Sequence, residues 1–122
     1  MEIIEILDED YLLRRIPVDN PNYLKPDGNI TSYAFKPKKG LDEISVNLKK
    51  LTSYRDSVLD DAKFKLVQLT AKAVRQNNLD CIHSPEPDNY SHSSIKGNFS
   101  NSACKNMARN SVLLEGSMDL NN

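Results

Sequence analysis

Ile44-Ser45-Val46-Asn47-Leu48 alternates apolar and polar side chains without a break, a period of two that marks an extended strand with one buried face. Successive side chains of an extended strand leave opposite faces. Ile44, Val46 and Leu48 therefore point to a core, while Ser45 and Asn47 point outward or into a site. Such a strand needs neighbours, and the flanking sequence supplies them. Residues 11–16 read as a short strand closed by Pro17, which biases the residue before it toward extended geometry. The loop over 18–29 carries the turn signal Pro26-Asp27-Gly28. Thr31 to Phe35 reads as extended, closed by Pro37 and a Lys38-Lys39-Gly40 turn. Phe64 to Thr70 reads as a strand and 79–83 as extended; 91–96 form a further strand after the Pro85-Glu86-Pro87 turn.

Helical signals fall between these segments. Ser53-Tyr54-Arg55-Asp56 has the form of a capping box, in which a hydroxyl satisfies a free helix N–H. Leu51, Tyr54, Val58 and Ala62 then recur at helical spacing, which predicts a helix over 53–62. A second helix is expected near 71–78, ending at Asn77-Asn78. Asn101 or Ser102 caps a third, with Cys104, Met107, Ala108, Ser111 and Val112 on one face and Gly116 as its stop. The order of elements predicts an α+β fold: one small domain over 1–116, with a mostly antiparallel or mixed sheet and two or three short helices. A frayed tail is expected over 117–122.

At 122 residues the chain has room for one core and little else. Its formal net charge is −1 with both signs interspersed, which argues against adhesion to nucleic acid or membrane through bulk charge. The uneven places are an acidic start (Glu2, Glu5, Asp8, Glu9, Asp10) and a lysine-rich stretch (Lys36, Lys38, Lys39, Lys49, Lys50). Two cysteines make no secreted disulfide framework, and no apolar run is long enough to span a bilayer. The expectation is a reduced cytoplasmic protein that does not enter a membrane.

Several short motifs stand out along this frame. They are Leu13-Arg14-Arg15-Ile16, Ser32-Tyr33-Ala34-Phe35-Lys36-Pro37, Ile44-Ser45-Val46 and Asn89-Tyr90-Ser91-His92-Ser93-Ser94-Ile95, followed by a basic helix. Together they resemble a family of small bacterial proteins to which no activity is attached. The family pattern has Leu where Ile44 stands, and Ala where Ser91 and Ser93 stand, all mild exchanges. The resemblance implies element boundaries and a shortlist of Arg15, Ser32, Phe35, Ser45 and His92, but no reaction.

The chemistry concentrates in residues 81–97, which hold both histidines, Cys81 and two prolines. His92 is the candidate catalytic residue, because a histidine changes charge near neutral pH and can act as general acid or base. Arg14 and Arg15 are candidate ligand-binding residues, since a guanidinium fork suits phosphate or carboxylate. As consecutive strand residues they are expected on opposite faces, one in a pocket and one in solvent or paired with an acid of the Asp8–Asp10 cluster. Ser32 and Ser45 would orient a ligand beside them. No metal site is expected. Cys81, His83, His92 and Cys104 offer zinc-type donors, but Cys81 and His83 are too close in sequence and Cys104 falls on an apolar helix face. No cofactor is expected either, for the nucleotide-binding and metalloprotease motifs are missing.

Two functions remain. The first is a binding or interaction module with a protein partner, as expected of a small neutral domain without a strong catalytic signature. The alternative is a phosphate-directed enzyme acting on a nucleotide or RNA, with Arg14 or Arg15 as clamp, His92 as proton carrier and Ser32 or Ser45 as positioning groups. Only the alternative demands that an arginine, His92 and a serine converge in one cleft.

Overall fold

Alternating segments pair side by side into one sheet. The computed structural model describes residues 1–114. Its strands are β1 (Tyr11–Pro17), β2 (Glu43–Leu48), β3 (Phe64–Thr70), β4 (Asp80–His83), β5 (His92–Lys96) and β6 (Val112–Leu113). They lie in the order β4-β5-β2-β1-β3-β6, and every neighbouring pair is antiparallel. Three short helices complete the α+β fold: α1 (Tyr54–Val58), α2 (Ala71–Arg75) and α3 (Asn101–Arg109). No helix among the described residues is long and apolar enough to cross a membrane.

Residues opposite one another in an antiparallel pair share a face. Leu12 lies opposite Leu48 and Leu69, and Ile44 opposite Ile95, so the apolar positions of four strands meet on one side. There they pack with Val74 of α2, Ala103 and Met107 of α3, and Ala34 and Phe35. The reverse face is divided. Over β1 and β3, Leu13 and Leu66 form a smaller cluster with Tyr54 and Val58 of α1 and with Leu114. Over β2 and β5, the same face carries Ser45, Asn47, His92 and Ser94. A polar floor thus lies beside a helix-covered apolar one.

Strand β1 pairs with β3 along its whole length, from Tyr11–Thr70 to Pro17–Phe64. Its pairing with β2 covers only Leu12–Leu48 and Leu13–Asn47. Past Leu13 the two central strands part, and the carbonyls of β2 there need other donors.

Several elements depart from the sequence reading. Residues 32–35 form a 3₁₀ turn rather than a strand, because the Ala34 N–H bonds back to the Thr31 carbonyl and Ala34 and Phe35 are buried against α3. The predicted helix over 53–62 stops at Val58, and the one near 71–78 stops at Arg75. The last helix stops at Arg109. There the Asn110 side chain donates to the Asn106 carbonyl and the Ser111 hydroxyl donates to the Ala108 carbonyl. Val112, expected on the helix, instead pairs with Gln68 at the sheet edge. The expected helix stop at Gly116 and the expected tail over 117–122 lie outside the described residues. The Ser53 cap is as read: its hydroxyl accepts the Asp56 N–H at 3.1 Å.

Leu59 ends α1 at φ 66° and ψ −53°, with the Asp60 N–H bonded to the Val58 carbonyl at 2.8 Å. This is a γ-turn of the strained hand, which a branched L-residue adopts at a cost of about 1–3 kcal/mol. The Leu59 side chain is 68% exposed, so it recovers little by packing. Leu59→Gly should therefore raise stability by roughly 1 kcal/mol after the entropy cost of glycine. A thermal melt reads this as a rise of several degrees; an unchanged or lower midpoint would show that the turn holds no strain.

Asp10 ties the acidic start to β2's end. Its carboxylate accepts the Leu7 N–H at 2.7 Å and the Lys50 ammonium at 2.8 Å. Burial pushes its pKa up, but Lys50 and the Leu7 N–H pull it down further, and the net value lies below the ordinary one. Stability from this depressed acid is fully present above the unfolded pKa of about 4 and is lost as pH falls through the folded value. Asp10→Asn should cost about 1–2 kcal/mol at pH 7. In urea melts the gap to wild type should close in acid; a gap that persists there would assign the loss to packing instead.

Candidate functional site

Ser45 and Asn47 of β2 and His92 of β5 project from the polar half of the reverse face, where alternation puts them. The floor opens into a cleft of about 250 Å³ lined by Arg14, Arg15, Ser45, Asn47, Ser57, Glu86, Asn89 and His92, together with Leu13, Val46 and Leu66. Four sequence candidates, Arg14, Arg15, Ser45 and His92, therefore meet in one hollow. Ser32 does not. It lies in another groove, beside Lys25, Thr31, Lys105 and Arg109. Phe35 is a core residue, fully buried.

Alternation along β1 puts the two arginines on opposite faces, yet both line the cleft. The parting of β1 and β2 explains this. Arg14 reaches into the gap, where its Nε donates to the Ala34 carbonyl and its Nη1 to the Ser45 carbonyl, both at 2.8 Å. The guanidinium replaces the missing strand pairing. Arg15 approaches from the α1 side, donating from Nη1 to the Ser57 carbonyl at 2.9 Å and stacking over Phe64. Among the described residues neither has a carboxylate within ion-pair distance: Asp8 is taken by Arg75 and Asp10 by Lys50. Burial pushes the Arg14 pKa below its ordinary value, and Arg15 adds to the effect against an opposing influence of Tyr23. An anion entering the cleft would relieve both the desolvation and the like-charge repulsion.

His92 is held at both nitrogens. Its Nδ1 lies 2.8 Å from the Ser84 carbonyl, which can only accept, and 3.1 Å from the Ser84 hydroxyl, which can do either; the nearer carbonyl favours the tautomer with the proton on Nδ1. Nε2 is then a lone-pair acceptor, and it faces the Ser45 hydroxyl at 3.1 Å. Glu86 stands at the rim, its carboxylate 3.9 Å from the same nitrogen and half exposed. The Pro85-Glu86-Pro87 turn delivers it there, through reciprocal backbone bonds between Glu86 and Asn89.

Behind these groups lies an amide and hydroxyl network with little local signature. Asn47 donates to the buried Ser57 hydroxyl at 2.8 Å and accepts from Asn89 at 2.9 Å, and Asn89 accepts from the Ser91 hydroxyl at 2.6 Å. Asn47 shares the phase of Ser45 on β2, which was its signal. For Ser57 the signal was weaker, a polar residue beside Val58 on a helix face that turns inward. Asn47, Ser57 and Asn89 fix the cleft wall.

His83 lies on the opposite face of the sheet from His92. It is buried, accepting the Ile4 N–H at Nδ1 and facing the Tyr90 carbonyl with Nε2, which ties the chain start to the proline turn. Burial pushes the Cys81 thiol up to about 11, far from a reactive thiolate. Cys104 is buried on α3 against the Phe35 carbonyl. Among the described residues no three His, Cys, Asp or Glu side chains gather as a metal set. No family model, curated protein or solved structure matches the chain.

Proposed function

We propose that the cleft binds a phosphate ester, as carried by a nucleotide or an RNA end, and that His92 moves the proton in its cleavage or transfer. One observation carries this reading. Two guanidiniums without carboxylate partners among the described residues open onto the same hollow as an imidazole whose Nε2 meets the Ser45 hydroxyl. Arg14 commits two N–H groups and Arg15 one, which leaves donors of both forks for oxygens of a bound anion. A cleft of about 250 Å³ suits a phosphoryl group and part of its ester rather than a duplex. An adaptor that only binds a protein partner would need no such convergence.

Calorimetric titration with inorganic phosphate tests the reading. Arg15→Ala removes one fork without touching the bonds Arg14 makes, and should weaken binding on the order of 10- to 100-fold. Equal affinity in wild type and variant, or no phosphate binding by wild type, would sink it.

A further inference from the structure

Ser45 is more than a wall residue of this cleft. Its hydroxyl lies 3.1 Å from His92 Nε2, the acceptor nitrogen of the tautomer that the Ser84 carbonyl favours from 2.8 Å at Nδ1. Nucleophile, base and orienting acceptor thus stand in line, the arrangement that activates an alcohol toward displacement. Ser45 is exposed to the cleft while His92 is largely covered, so an incoming group meets the hydroxyl before the imidazole. The backbone beneath Ser45 is held by Arg14 through the Ser45 carbonyl, which sets the nucleophile beside the guanidinium that would hold the electrophile.

We infer that Ser45 is the nucleophile of a two-step phosphoryl transfer through a phosphoserine intermediate; this rests on the phosphate-directed reading above. In the first step the Ser45 Oγ–H bond breaks and its proton passes to His92 Nε2. The Oγ–P bond forms while the bond from phosphorus to the leaving oxygen breaks, and that oxygen keeps the electron pair. The leaving group departs in line, on the side away from Ser45 and so away from His92. No acid is placed there by this pair, which selects a leaving oxygen that is stable as an anion: an aryl oxide or the phosphate of a phosphoanhydride. In the second step water attacks phosphorus from the vacated side and its proton goes to solvent. The Oγ–P bond breaks and Ser45 Oγ takes its proton back from His92. The sum is ester plus water to phosphate, the leaving anion and one proton released to solvent. Arg14 and Arg15 face the phosphoryl oxygens, where charge is held in both steps.

The test uses the full chain with 4-nitrophenyl phosphate, beside a titration with inorganic phosphate. The expected results are release of 4-nitrophenolate, a phosphoryl group on the Ser45 peptide after acid quench, and loss of turnover on the order of 10³-fold or more in Ser45→Ala. Transfer from chirally labelled 4-nitrophenyl phosphate to an alcohol should proceed with retention at phosphorus, because two inversions cancel; this reads the pathway even if the intermediate is short-lived. Inversion, or a Ser45→Ala variant that turns over like wild type, would overturn the role of Ser45. Phosphate binding without any turnover would also overturn it and leave the anion site standing. A wild-type chain that binds no phosphate would remove both.

Discussion

Arg14→Leu should lower the stability of the protein by about 2 kcal/mol and abolish its phosphate binding together. The guanidinium spans two carbonyls, Ala34 and Ser45, at the place where β1 and β2 cease to pair. Leucine fills part of the volume but donates nothing, so both carbonyls must find water or go unpaired. Two charge-assisted bonds would be worth more in isolation. Removing the cation also removes its own desolvation, which burial has already expressed as a depressed pKa, and the net loss is smaller than the sum. Arg14→Lys should fare little better in urea melts, since a single ammonium cannot reproduce the fork between the two acceptors. Arg15 provides the contrast. It is exposed and bonded to a single carbonyl, so Arg15→Ala should weaken phosphate binding with a stability loss within about 1 kcal/mol. An Arg14→Leu protein with an unchanged urea midpoint would show that the parted strands need no bridge.

His92→Ala should reduce turnover of a phosphate ester by about 10²- to 10⁴-fold, the range for loss of a positioned acid–base group. The informative companion is His92→Gln, whose amide can still meet the Ser45 hydroxyl but cannot carry a proton. If proton transfer is the role of His92, the two variants lose comparable activity while His92→Gln keeps phosphate affinity. If His92 only props the loop, His92→Gln should recover most of the turnover. Glu86, at the rim and half exposed, should matter far less, and Glu86→Gln serves as the control for general disturbance of the proline turn.

How much of this was legible in the sequence depended on the range of the forces involved. Alternation at 44–48 assigned β2, its buried face and the outward phase of Ser45 and Asn47, because side-chain direction along a strand is local. The Ser53 cap was legible for the same reason. Residues 31–35 were not. Tyr33, Ala34 and Phe35 suit a strand, and what bends them is the burial of Ala34 and Phe35 against α3, far along the chain. That error carried into the candidate site, since a strand at 31–35 would have brought Ser32 toward the sheet rather than to the groove beside Lys105 and Arg109. Nor did the periodicity of the last helix tell that Val112 would leave it, because β3 offers an open edge that only the assembled sheet possesses. The two arginines show the limit most clearly. Strand geometry put them on opposite faces, and only the early parting of β1 from β2 lets both reach one cleft.

The most direct measurement is a phosphate titration followed in ¹H–¹⁵N NMR spectra, with the arginine Nε–H signals resolved. The expected result is that the side-chain signals of Arg14 and Arg15 and the amides of Ser45 and His92 move together and saturate at a common affinity, while Lys105 and Arg109 stay still. Movement centred on Lys105 and Arg109, or an absence of saturable shifts around His92, would contradict the assignment of this cleft as the place where the protein meets phosphate.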